Sequence, residues 1–145
     1  MKSRNVFRTA FAVILALFFT SVVAYSQGTQ ARHWQLSPAC KPKLRVAFDA
    51  VRDLDPFISA AGYESSLAEA KKELRQARAV ATTPDDREAV EEIEIYRMQR
   101  EACQPAIASP DRYHDCEDRA GATEWNISYG LGMAKNAPPK TPGAH

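Results

Sequence analysis

The chain has 145 residues, 45% of them apolar and 26% charged, with a formal net charge of +1. That length makes one domain with a single modest core. The charge balance argues against nucleic acid as a partner, which needs a clustered basic excess.

Residues 1–8 carry Lys2, Arg4 and Arg8 and no acid, and a continuous apolar stretch follows from Ala10 through Phe19 and resumes at Val22. A positive start, an apolar middle and small residues after it are the layout of a secretory signal, whose positive end stays on the cytosolic side. A peptidase can fit the small residues Val22 and Ala24, or Ala24 and Ser26. Cutting after Ser26 is preferred, which makes residues 1–26 a signal peptide. The apolar run from Ala10 to Tyr25 is 16 residues long, short of the about 20 a spanning helix needs. The expectation is export to the periplasm or the cell exterior, with the membrane met only transiently through the signal. If the segment is kept, the alternative is a membrane-tethered envelope assembly factor. Removing Lys2, Arg4 and Arg8 from 19 bases leaves 16 against 18 acids, a balance of −2 over the remaining 119 residues.

Export places Cys40, Cys103 and Cys116 in an oxidising compartment, where one disulfide can form and one thiol is left over. Cys103 and Cys116 are 13 apart, with Pro105 and Pro110 between them to favour a turn. They are the first-ranked pair, and in the chain-entropy model the closed loop adds about 3 kcal/mol. Cys40 bonded to either of the others is the alternative.

Residues 27–37 have no helical period and read as a leader, which the domain boundaries extend to residue 41. The helical domain is expected over 42–134. Its first helix starts near Pro42, since proline is tolerated in a first turn. Leu44, Phe48, Val51 and Leu54 form one apolar stripe, and Asp55-Pro56 ends it. A short turn over Phe57–Ala61 precedes Gly62. The second helix is capped by Ser65 or Ser66, with Glu69 completing a capping box on Ser66. Its stripe is Leu67, Ala70, Leu74, Ala77 and Ala81. The third starts at Thr83-Pro84, where a cap oxygen, a proline at the first position and Asp85, Asp86 and Glu88 all favour a helix N-terminus. Val90, Ile93 and Tyr96 (or Arg97) make one stripe, and Ile95, Met98 and Ala102 a second. Helices two and three form an antiparallel hairpin. No second copy of that hairpin and no tetratricopeptide signature is present, so the chain is not a repeat array.

A fourth helix runs from Ser109-Pro110-Asp111 to Ala120, before Gly121. Beyond it Trp125, Ile127, Tyr129, Leu131 and Met133 alternate with other residues. That is the strand period, although Gly130 and Gly132 weaken it, and the segment reads as irregular or a short strand. His33–Leu36 is the one other short strand candidate. Residues 135–145 read as a Pro-rich disordered tail. The fold expected is all-α, a small three- to four-helix bundle built on an antiparallel hairpin.

The densest polar cluster is Tyr113–Arg119. His114 and Cys116 could ligate a metal, or serve a thiol- or metal-dependent enzyme or carrier. Structural zinc sites need about four ligands in paired spacings, and here one His-x-Cys stands alone. The acidic run from Asp85 to Glu94 reads as a solvated helix face with favourable dipole placement. There is no haem or thiol-exchange motif and no phosphate-binding glycine pattern. No catalytic residue, cofactor or metal is therefore assigned. Trp125 and Tyr129, beside flexible glycines, either cover the core or form a contact surface. Asn126-Ile127-Ser128 fits a glycosylation sequon, which matters only in a eukaryotic secretory pathway. By elimination, the leading function is a non-enzymatic binding or interaction module whose partner is a protein or another envelope component.

Overall fold

The structure is a computed structural model that describes residues 32–135. The expected signal peptide and all of the expected tail but Lys135 lie outside the described residues. The described residues hold four α-helices and no strand: α1 over Cys40–Arg52, α2 over Ala60–Val80, α3 over Pro84–Cys103 and α4 over Pro110–Gly130, with a 3-10 turn at Gln104–Ala108 between the last two. The chain is all-α, as its periodicity predicts. None of these helices is long and apolar enough to cross a membrane.

Helix α1 buries Leu44, Ala47, Phe48 and Val51, and Leu54 follows just beyond its end. This is the predicted stripe, and it packs against α2 and α3. The helix begins two residues earlier than expected, so Pro42 sits at its third position, still within the first turn, whose N–H groups have no intrahelical acceptor. Helix α2 also begins earlier. Its cap is Ser59, whose hydroxyl accepts from the Gly62 N–H, so Ser65 and Ser66 lie inside the helix. Ala60 and Ala61 have high helix propensity, and Tyr63 gains burial by being helical. Ala60 and Ala61 are thus the first residues of α2, while Phe57 and Ile58 form a turn and bend ahead of it, as expected. Glu69 closes no capping box; it pairs with Lys72 one turn on.

Helix α3 starts where predicted. The Thr83 hydroxyl accepts from the Asp86 N–H, and the Asp86 carboxylate accepts from the Thr83 N–H. Val90, Ile93, Tyr96 and Arg97 are buried. The second stripe does not find a neighbour: Ile95 and Met98 are 41% and 52% exposed, and Ala102 is exposed too. Helices α1, α2 and α4 pack against other faces of α3, so this face has no packing partner within the described residues.

Helix α4 overrides two expectations. It passes through Gly121 and runs on to Gly130, absorbing most of the segment read as irregular or strand. Cys116, Ala120, Ile127 and Leu131 recur at spacings of 4, 7 and 4, which is helical, and the last three are fully buried. The alternation from Trp125 to Met133 is a coincidence of sequence that packing against α3 overrules. The true stop is Gly132, with φ of +69°. Its N–H bonds to Tyr129 O at 2.9 Å and the Met133 N–H bonds to Ser128 O at 2.8 Å. This pair of bonds closes the helix with a left-handed residue and reverses the chain.

The leader is part of the domain. Residues 32–37 have no regular secondary structure and lie across the N-terminus of α3 and the C-terminus of α4. The Trp34 N–H bonds to Gly130 O at 3.0 Å and its indole Nε1 to Glu88 at 3.1 Å. The Gln35 N–H bonds to Asp85 at 2.6 Å and the Ser37 N–H to Asp86 at 2.9 Å. Arg32 pairs with both Asp85 and Glu88. The first turn of the acidic run is therefore an anchor for this strap and not a solvated face. Gly130 is required here, because a Cβ on it would stand 2.5 Å from the Trp34 ring.

Candidate contact surface

Two places collect the side chains singled out in the sequence. The first is the α3–α4 corner. Cys103 and Cys116 are joined as a disulfide, with Cα atoms 5.5 Å apart. Arg100 holds both Glu117 oxygens at 2.9 Å and donates to Leu54 O, tying the corner to the end of α1. Cys116 is thereby committed as a sulfur partner of Cys103, and His114 is exposed on the surface of α4. No group of three or more His, Cys, Asp or Glu side chains among the described residues is placed to hold a metal. The remaining thiol, Cys40, is fully buried and donates to Ala77 O. Burial, helped by the Asp86 charge, pushes it up to about 11. That leaves it a protonated core side chain and a poor nucleophile.

The second place is a groove of about 440 Å³ along α4. Its wall is one stripe of the helix, Gly121, Glu124, Trp125 and Ser128, at helical spacing. Arg52, from the last turn of α1, stands on one side, and Met133 and Ala134 close it where the chain reverses. The stripe faces outward because Ala120, Ile127 and Leu131 take the inward face. Trp125 is 48% exposed and Met133 39%. Trp125 and Tyr129 thus part company: Tyr129 is half-buried and lies against the His33 ring, with centroids 4.0 Å apart. It helps seat the strap, while Trp125 meets solvent.

The polar groups of the groove are fixed by their neighbours. Glu124 accepts from the Tyr96 hydroxyl at 2.9 Å. Burial and the Glu124 charge push that phenol far above its usual range, so it remains a donor. Arg52 pairs with Asp49 at 2.8 Å and lies over the Phe48 ring, 5.6 Å from its centroid, a cation–π placement. The groove therefore offers an apolar indole and thioether between one carboxylate and one guanidinium. Such a lining can hold a peptide by apolar contact and orient it by two hydrogen-bonding ends.

Arg52 and Met133 were not legible as site residues. Arg52 reads as a C-terminal helix cation, and Met133 as part of an apparent strand. The one available signal was Gly132 followed by an apolar residue, a helix-stop pattern that would have placed both Trp125 and Met133 at the end of a helix. No family model, curated protein or solved structure matches the chain.

Proposed function

We propose that this is an exported, non-enzymatic binding module that engages a protein or envelope component through the Trp125 groove. The observation that carries the proposal is the half-exposed indole of Trp125 beside Met133. A large aromatic left facing water on the wall of a groove is the kind of side chain that anchors interfaces. The positively charged start and 16-residue apolar run of the N-terminal segment support export. The disulfide fits an oxidising compartment.

The test is retention of envelope components from the native host on the immobilised, oxidised protein, in parallel with Trp125→Ala. The proposal expects a component retained by the wild type and lost from Trp125→Ala, with both proteins equally folded by circular dichroism. A retained set that is identical on the two proteins, or empty on both, would overturn it.

A further inference from the structure

Gly121 and Trp125 lie one turn apart on the outward stripe of α4, a recess and a projection on the same face. Glycine inside a helix is unfavourable, so each one calls for a reason. Gly130 has one, since the Trp34 ring occupies the space of a Cβ. Gly121 has none among the described residues: a Cβ there would meet nothing within 4 Å. The space above it is open, and the half-exposed Trp125 indole stands beside it.

A surface that carries both a projection and its recess fits a second copy of itself. Two α4 helices related by a twofold axis run antiparallel, and whatever residue i touches on the partner is touched in return. Each indole then fills the space above the partner's Gly121. A parallel pair would set indole against indole and leave both recesses empty. The walls around Gly121 suit an arriving indole. Glu124 accepts from the Tyr96 hydroxyl through Oε2, and its Oε1 has no donor among the described residues. An indole N–H is such a donor. Arg52 lines the groove as well and offers a cation to an aromatic ring.

The charges agree with the same register. Setting Trp125 opposite the partner's Gly121 places the axis beside Thr123, and Asp118 comes opposite the partner's Ser128. Lys135 is held close to Ser128, because the Ala134 N–H bonds back to Ser128 O at 3.1 Å. Asp118 and Lys135 are both exposed, and neither has an ion-pair partner among the described residues. The antiparallel arrangement brings each Asp118 to the partner's Lys135, once on each side of the axis. A parallel arrangement brings like charges together.

Resting on the reading of this groove as a contact surface, we propose that the protein pairs with a second copy of itself through antiparallel α4 helices, each Trp125 seated on the partner's Gly121. One helix face and its groove stand at the low end of specific interfaces, below about 1,200 Å² in total. The pair is therefore reversible, and an envelope component that takes the groove must part it.

Sedimentation velocity of the oxidised chain, purified after export and run from about 5 to 500 µM, tests the pairing. The proposal expects the mass to rise from one copy to two across that range. Trp125→Ala and Gly121→Leu each stay at one copy, with unchanged circular dichroism. Asp118→Lys weakens pairing at least about tenfold by facing Lys135 with a like charge, and Asp118→Lys/Lys135→Asp restores it to within about threefold of wild type. Because both exchanged positions are exposed, this arm stays decisive even where Gly121→Leu disturbs the helix. A wild type that remains one copy at the highest concentration overturns the proposal. So does a dimer that Trp125→Ala or a folded Gly121→Leu leaves intact, or a double exchange that pairs no better than Asp118→Lys alone. These outcomes are separate from the envelope-retention test: a chain that stays single and still retains a component through Trp125 refutes only the self-pairing.

Discussion

Asp86 is fully buried and yet charged, and replacing it with asparagine is the most searching perturbation of the fold. One oxygen accepts from the Ser37 N–H at 2.9 Å, and the other from the Thr82 and Thr83 N–H groups at 3.0 and 3.1 Å. Asp86→Asn can keep one accepting oxygen. Placed towards Thr82 and Thr83, it turns the amide NH2 against the Ser37 N–H and orphans that donor, which costs about 1–3 kcal/mol. The two surviving bonds lose their charge assistance, at about 1 kcal/mol each. The expected loss is about 3–5 kcal/mol, a large part of the roughly 5–15 kcal/mol of a typical domain. Urea unfolding of the oxidised protein at pH 7 measures it. The pH dependence gives a second reading. Burial pulls the Asp86 carboxyl up, but the N–H groups of Thr83, Ser37 and Thr82 outweigh it and hold the group well below its ordinary 3.8. A carboxyl depressed by folding contributes fully above its unfolded value, and the contribution fades as pH falls through that value towards the folded one. Wild-type stability should therefore drop below about pH 4–5 more steeply than that of Asp86→Asn, which keeps only the share of the other depressed carboxyls, Asp85, Glu69 and Glu94. A variant within about 1 kcal/mol of wild type at pH 7, or one with the same acid slope, would refute this account of Asp86.

Gly130→Ala should destabilise by about 1–3 kcal/mol, by driving the Trp34 ring off the helix end; in a Trp34→Leu background the same change should cost much less, as a double-mutant cycle in thermal unfolding would show. Cys103→Ser/Cys116→Ser should lose about 3 kcal/mol in the chain-entropy model, read by the same unfolding assay. Gly121→Ala should raise stability by about 1 kcal/mol, because the position is helical and open. Native protein should resist iodoacetamide at pH 8, then take up one equivalent, at Cys40, on unfolding without reductant. Intact mass from the host should begin at Gln27 and rise by the two hydrogens of one disulfide on reduction.

The helices were legible where propensity, capping and apolar spacing agree. Thr83-Pro84 and the Leu44–Leu54 stripe are such places, and there the expected elements form. They were misread where a local pattern competes with a tertiary contact. The alternation from Trp125 to Met133 mimics a strand, and only Ile127 and Leu131 packing into the core reveals the helix. Ser66 and Glu69 match a capping box, but Ser59 lies upstream and captures the helix start. The strap was legible only as a short strand candidate at His33–Leu36, which forms no strand. Residues 32–37 have no periodicity to detect, since their backbone donors are satisfied by Asp85, Asp86 and Gly130 and not by one another. The disulfide was legible from spacing and prolines. The groove was not, because it is assembled from α1, α4 and a chain reversal that no single segment announces.

Use of the Trp125 groove as a contact surface can be read out by site-specific photo-crosslinking in the living host. A photoreactive residue is placed at Met133, on the wall of the groove, or at Arg75, exposed on α2. A discrete adduct is expected from position 133 that disappears with Trp125→Ala, and none from position 75. No adduct from position 133, or equal adducts from both positions, would contradict it.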